Sequence, residues 1–209
     1  MPRVKPSRNI PNKSPAPQGK SGFVRIISGQ WKGRKLPVKD VEGLRPTTDR
    51  VKETIFNWLA PHVRGVRCLD LFAGSGGLGL EALSRYAEQV TLVEMDKGAA
   101  DQIRKNLTAL GSSKGLVIQS DAVSWLQGPA TPFDLVFLDP PFRRELLPRV
   151  CDLLEQHGWL APDALIYLER EKEMADLTLP ASWQLLKNKQ AGQVCYQLYL
   201  REVSNEADV

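Results

Sequence analysis

The sequence predicts an α/β fold: a mostly parallel sheet of seven strands, closed by a C-terminal antiparallel pair and preceded by a small β-hairpin. Three observations carry that expectation. From residue 67 onward, short apolar runs alternate with amphipathic segments. The apolar runs are continuous, as in strands of a parallel sheet covered by helices on both faces. The last two runs are joined by only a few polar residues and Gly192, which suits antiparallel partners.

The elements follow in order. Residues 1–22 carry five Lys/Arg and no acid among prolines, serines and asparagines. Such a stretch cannot bury enough apolar surface to fold alone and is expected to be a disordered basic tail. In FVRIISGQWKGRKLPV, Val24, Ile26 and Ile27 mark a strand, SGQWKG a turn and RKLPV a second strand. This hairpin extension, residues 23–45, carries Arg25, Lys32, Arg34 and Lys35 beside Trp31. LRPTTDRVKETIFNWLA opens a helix and, with it, a domain over residues 46–203. Thr47 or Thr48 can cap that helix, and Val51, Ile55, Phe56, Trp58 and Leu59 form its apolar face. RCLDLF, QVTLVEM, LVIQS, FDLVFLDPPF and ALIYLER then read as strands. GLGLEALSRY, KGAADQIRKNLTAL, AVSWLQ and RRELLPRVCDLLEQHGWL read as helices, the last with a kink expected at Pro148. SWQLLKNKQAGQVCYQLYLR supplies the antiparallel pair, turning at NKQAG.

Composition narrows the function. An apolar content of 42% is that of a soluble globular protein, and no run is long enough to span a bilayer. The basic N-terminus has no apolar segment behind it, so it is not a secretory signal, and a cytoplasmic location is expected. Cys68, Cys151 and Cys195 are far apart and there are two histidines, which argues against a disulfide framework or a metal site. The net charge of +4 hides an asymmetry: the first 52 residues hold thirteen Lys/Arg against three acids, the remainder fifteen against twenty-one. A basic N-terminal quarter points to a polyanionic partner; for the tail itself, a merely solubilising role is an equal alternative. No element shows an exposed apolar seam, so a monomer is expected.

LDLFAGSGGLGLEAL, residues 69–83, contains G-x-G-x-x-G at Gly74, Gly76 and Gly79, between a strand and a helix. That is the pattern of a dinucleotide site. Asp70 speaks against a dinucleotide. A pyrophosphate needs backbone N–H groups and no carboxylate nearby. Two like charges about 4 Å apart, at an effective dielectric near 20, repel by roughly 4 kcal/mol. A buried acid suits a cationic ligand such as S-adenosylmethionine (AdoMet), which carries an ammonium and a sulfonium and no phosphate. Glu94, ending the next strand, stands where a carboxylate grips ribose hydroxyls. Asp121 either accepts from the adenine amine or caps its short helix. The capped start of the RPTTDR helix offers N–H groups to the AdoMet carboxylate, with Thr48 and Arg50 as candidates.

LDPPF, residues 138–142, ends the fourth strand of the alternating region. Pro141 holds Pro140 extended, and neither proline offers an N–H. The turn suits an exocyclic amine whose lone pair is delocalised into a ring. The Asp139 carboxylate and the Pro140 carbonyl can accept from its hydrogens, and Phe142 gives the base a face to stack on. Catalysis would then be mostly positioning, with Asp139 adding electrostatic support.

With these motifs in hand, the chain resembles the bacterial 16S ribosomal RNA guanine-N2 methyltransferases that modify guanine 966. RIISGQWKGRKL, LRPTTDRVKETIFNWL, CLDLFAGSGGLGLEALSRYA, VEMD, LDPPF and GWL match that family's pattern in order, over about residues 23–200. The resemblance implies a Rossmann-like class I AdoMet-dependent methyltransferase whose product is N2-methylguanine. It implies AdoMet binding by Asp70, Phe72, Gly74, Gly76, Glu94 and Asp121, and base binding by Asp139, Pro140 and Phe142. The substrate would be 16S rRNA, naked or in a small-subunit particle. A target base must be flipped out or presented in a loop. Arg25, Lys32, Arg34, Lys35, Arg45, Arg50, Arg143 and Arg144 are the candidates for RNA phosphates. Rival readings are a DNA adenine-N6 or cytosine-N4 methyltransferase, a glutamine-amide methyltransferase, which usually has Asn where this chain has Asp139, and a non-catalytic RNA-binding module that retains AdoMet.

Overall fold

The computed structural model describes residues 22–39, 48–141, 146–174 and 177–202. The tail up to residue 21, Arg45, Thr47, Phe142, Arg143 and Arg144 lie outside the described residues. A two-stranded antiparallel hairpin, β1 (Phe23–Arg25) and β2 (Lys35–Pro37), comes first, followed by helix α1 (Asp49–Leu59). The alternating region supplies β3 (Arg67–Asp70), α2 (Gly77–Ser84), β4 (Gln89–Glu94), α3 (Lys97–Leu110), β5 (Gly115–Gln119), α4 (Ala122–Leu126), β6 (Phe133–Leu138) and α5 (Leu146–Gln156). It ends with β7 (Leu160–Glu171), β8 (Trp183–Ala191) and β9 (Val194–Arg201).

The seven strands from β3 form one sheet in the order β5-β4-β3-β6-β7-β9-β8, with β9 antiparallel to both of its neighbours. Side chains alternate across it. Cys68, Leu135, Phe137, Leu165 and Tyr167 face α1, α2, α3 and the hairpin. Leu69, Val136, Leu138, Ile166 and Leu168 face α4 and α5. From β3 the chain steps outward through β4 and β5, then returns to place β6 on the other side of β3. Such a reversal leaves a crevice beyond the C-terminal ends of β3 and β6.

Several boundaries differ from the sequence expectation, among them β1, which ends at Arg25 before Ile26 and Ile27, and β7, which begins before ALIYLER. Helix α5 stops at Gln156 rather than at Leu160. Gly158 turns left-handed (φ +79), Trp159 is fixed by donating from Nε1 to Leu126 O (2.9 Å), and Leu160 already belongs to β7. Pro148, where a kink was expected, is the third described residue of α5. The C-terminal turn is tighter than NKQAG: β8 continues to Ala191, opposite Val194, and the chain reverses at Gly192 (φ +62) and Gln193.

The hairpin shares the interior of the larger sheet. Val24, Ile26, Leu36 and Val38 are buried with the apolar faces of α1, α2 and α3. Its turn is fastened to α2 by polar contacts. The fully buried Glu81 carboxylate accepts from the N–H groups of Ile27 (2.7 Å) and Ser28 (3.0 Å) and from Arg85 Nε (2.8 Å). Ser84 Oγ accepts from the Trp31 N–H (3.1 Å) and donates to Ser28 O (2.6 Å). Gly29 (φ +82) approaches so closely that a Cβ there would lie 1.8 Å from Ser84 O. Lys52 of α1 is also fully buried. Its ammonium donates to Arg25 O, and burial pulls its pKa below the ordinary lysine value, against the charges of Glu81 and Asp49. Burying such groups is tolerable because each has partners.

Removing one member of this node leaves the others unpaired. Glu81→Ala is expected to destabilise the protein by about 3–5 kcal/mol, the cost of stranding a buried partner. Urea unfolding followed by tryptophan fluorescence measures it; a loss below about 1 kcal/mol, the range of exposed pairs, would show that the node is not a fastening.

Candidate active site

Four neighbouring parallel strands end in acids: Glu94 on β4, Asp70 on β3, Asp139 just past β6 and Glu169 near the end of β7. Asp70 is 2% exposed, and its Oδ2 accepts the Gly79 N–H at 2.8 Å. Gly79 is the third residue of α2, among the four whose N–H groups find no partner within the helix. The contact requires glycine: a Cβ there would sit 2.6 Å from Leu92 Cδ2 and 3.1 Å from Asp70 Oδ2. Gly76 caps α2 in a left-handed conformation (φ +77), and Gly74 is left-handed as well (φ +54). Glu94 accepts the Gly74 N–H on Oε2 and the Asp96 N–H on Oε1, each at 2.7 Å. Two donors that a pyrophosphate would need are thus held by the protein's own carboxylates. The glycines shape a loop around acids, and the loop is not a phosphate cradle.

Burial pushes the Asp70 carboxyl up to about 7. The Gly79 N–H opposes that shift, and the charges of Asp139 and Glu94 add to it. Burial also raises Glu94, against the N–H groups of Asp96 and Gly74. Crowded acids of this kind favour a cationic ligand, whose charge offsets both their desolvation and their mutual repulsion.

The other candidates fall into two groups. Thr48 caps α1, accepting the Val51 N–H, and Arg50 is exposed beside it. The far end of α1 leads into the start of β3, so both lie at the acid end of the sheet. Phe72 is half-buried in the glycine loop, and Pro140 is buried after β6. Asp121 caps α4, with Oδ1 accepting the Ser124 N–H at 2.9 Å. The hairpin cations are placed differently. Arg25 pairs with Lys35 across the hairpin, while Lys32 and Arg34 sit in or beside its turn. Arg34 Nη2 donates to Ala109 O (3.1 Å) near the C-terminal end of α3, the end remote from the acids. Lys39 lies at the acid end instead, 3.9 Å from Asp96 and against Gly98. Among the described residues, no group of His, Cys, Asp and Glu could hold a metal ion, and the three cysteines are free and buried.

A family model described as Conserved hypothetical protein 95 matches residues 24–200. The chain belongs to this family. Relatives include Ribosomal RNA small subunit methyltransferase D of Escherichia coli strain K12, 57% identical over 90% of this chain and 95% of that protein. The protein of the same name from Haemophilus influenzae is 53% identical, over 85% of this chain and 94% of its own length. The solved structure of "Putative methyltransferase yhhF" from Escherichia coli superposes with a TM-score of 0.82 at 56% identity, covering 87% of this chain and 99% of that one. The architecture is that of class I methyltransferases, and the resemblance read from RIISGQWKGRKL through LDPPF is borne out.

In this member of the Conserved hypothetical protein 95 family, one acid beside the candidate site escapes a motif-based reading. Glu169 is 6% exposed, and its Oε1 accepts the Tyr167 hydroxyl at 2.7 Å. Leu138 pairs with Leu168, so the next residues in register, Asp139 and Glu169, are neighbours on adjacent strands. The available signal was an acid near the end of a fifth strand, repeating the pattern of β3, β4 and β6.

Asp70 makes stability depend on pH. Its folded pKa of about 7 lies above the ordinary value of 3.8, so the folded state binds more protons across that window. Its contribution is complete below about pH 4 and is lost as pH rises through 7. Urea midpoints measured from pH 4.5 to 8 without ligand should decline more steeply for the unaltered protein than for Asp70→Asn. Parallel curves would show that Asp70 does not titrate in this range.

Proposed function

We propose that the protein transfers a methyl group from AdoMet to the exocyclic N2 amine of guanine 966 in 16S rRNA. The observation that carries the cofactor is the capture of the Gly79 and Gly74 N–H groups by Asp70 and Glu94, which leaves an acidic, phosphate-free crevice at the strand reversal. Membership of a family whose relatives are named small-subunit rRNA methyltransferases supports the RNA acceptor. AdoMet supplies an electrophilic methyl on a sulfonium and leaves as a neutral thioether. Glu94 would hold the ribose, Phe72 and Asp121 the adenosine, and Asp70 would balance the cationic end. Thr48 and Arg50 begin the helix that would receive the AdoMet carboxylate.

The remaining work belongs to the turn after β6. The Asp139 carboxylate and the Pro140 carbonyl accept from the two amine hydrogens and aim the nitrogen lone pair at the methyl carbon. Phe142 would stack on the base. As the N–C bond forms and the C–S bond breaks, the nitrogen becomes cationic, and Asp139 is placed to take its surplus proton before solvent does. The RNA phosphates would meet cations at the acid end of the sheet. Lys39 and Arg50 lie there, and exposed Lys189 on β8 reaches α1, with Nζ 3.4 Å from Thr54 Oγ1. Arg143 and Arg144 follow the catalytic turn directly in sequence. Arg25, Lys32, Arg34 and Lys35 are assigned to more distant RNA.

Two experiments test this reading. Asp139→Ala should reduce methylation of 16S rRNA or of small subunits lacking the modification by at least about 100-fold, the usual loss for a positioned acid or base, while RNA affinity holds. Unchanged methylation would remove Asp139 from its role, and label mapping to DNA or protein would redirect the acceptor. Lys39→Glu with Lys189→Glu should lower RNA affinity roughly tenfold at low salt and reduce the salt slope by about 1.4, at about 0.7 per phosphate contact. Lys32→Glu serves as the distant comparison, and equal losses from both changes would overturn the assigned RNA face.

A further inference from the structure

Glu169 is a buried acid that this account of methyl transfer does not use, and it sits beside the acid that the account uses most. β6 and β7 are parallel neighbours in register through Leu138 and Leu168, which puts Asp139 opposite Glu169. Strands are about 4.8 Å apart, and residues level with each other on adjacent strands point to the same face. That face is set by Phe137 and Tyr167, which meet edge to face at 6.3 Å beneath α1. The Tyr167 hydroxyl donates to Glu169 Oε1 at 2.7 Å, so one carboxyl oxygen is already fixed. The row continues outward through Tyr196 on β9 to Lys189 on β8.

We propose that Glu169 is a positioning residue for methyl transfer: as a neutral carboxylic acid it holds the Asp139 carboxylate ionised and aimed at the guanine amine. The proposal rests on the function given above. Two carboxylates that share one site do not both ionise readily, and the more buried member keeps the proton. Glu169 is 6% exposed, whereas Asp139 is half-buried at the mouth of the crevice. With Oε1 occupied by Tyr167, the protonated Oε2 of Glu169 is the natural donor to Asp139. Asp139 then keeps its charge and can accept from the amine. Above the pKa of Glu169 the second negative charge repels Asp139, and the alignment is lost.

The surrounding groups agree with this assignment. Burial pushes Glu169 up to about 8; the charge of Asp139 raises it further, and the Tyr167 hydroxyl opposes the shift. On β9 the neighbour is Tyr196, and on β8 it is Lys189, one strand further out. Of the charged residues of α1, Lys52 is turned to Asp49 and to Arg25 O, and Asp49, Arg50 and Glu53 are exposed.

The test is the pH dependence of single-turnover methylation from pH 6 to 10, on the same RNA, for the unaltered protein and three variants. Because the RNA is common, any titration of the base appears equally in every profile. The unaltered protein should lose activity above about pH 8. Glu169→Gln copies the neutral acid, since its carbonyl accepts from Tyr167 and its NH2 donates to Asp139. It should stay within about threefold of full activity at pH 7 and lack that alkaline loss. Tyr167→Phe removes the hydrogen bond that favours ionised Glu169, so its alkaline loss should move to higher pH. Glu169→Leu should lose roughly tenfold or more at every pH while AdoMet affinity is unchanged. A Glu169→Gln profile with the same alkaline loss as the unaltered protein overturns the proposal, even if Glu169→Leu fails to fold. Full activity of Glu169→Leu at pH 7 overturns it too. Absence of methylation by the unaltered protein would instead overturn the function itself.

Discussion

The bond between the Asp70 carboxylate and the Gly79 N–H governs the site. It joins the last residue of β3 to the first turn of α2, and it does so inside the protein. A helix start ordinarily offers its N–H groups to an anionic ligand. Here an internal anion takes that place, so the same glycine spacing that serves phosphates elsewhere serves a different chemistry. The close approach requires glycine at 79, because Leu92 fills the space where a side chain would lie. Moving Asp70 would therefore disturb the strand end, the loop and α2 together.

The remaining acids extend this arrangement across the sheet. Glu94 secures the outer side of the loop through Gly74, and Asp139 and Glu169 stand on the two strands beyond β3. Each is stationed at or beside a strand end, where a side chain is held more precisely than on a free loop. The cost is a concentration of like charge in a poorly hydrated crevice. The fold offsets part of it with backbone donors, the Gly79 N–H to Asp70 and the Gly74 and Asp96 N–H groups to Glu94.

Much of this was legible in the sequence. The β/α alternation, the glycine loop and the Glu94 strand end are local signals, and local geometry produced the expected elements. Asp70 was legible because it sits where a pyrophosphate would be repelled. Glu169 was not, because nothing in ALIYLER tells an acid facing the turn after β6 from one facing water. That difference arises from strand register and from Tyr167 two residues earlier. Lys52 was missed for a similar reason. In an amphipathic helix it reads as solvated, and only the docked hairpin, with Glu81 beneath it, makes it interior. The hairpin cations were visible as a basic cluster, but their height along the sheet depends on how β1 and β2 lie on α2 and α3, which is a tertiary fact.

Helix α2 serves two masters. Its first turn is tied to Asp70 and the glycine loop, and its last turn is tied through Glu81 and Ser84 to the hairpin. At eight residues it is about 12 Å long, at 1.5 Å per residue. The hairpin is therefore not an interchangeable attachment. To graft it onto another protein of this architecture, the donor's α2 would have to travel with it, and with α2 the loop that shapes the cofactor crevice.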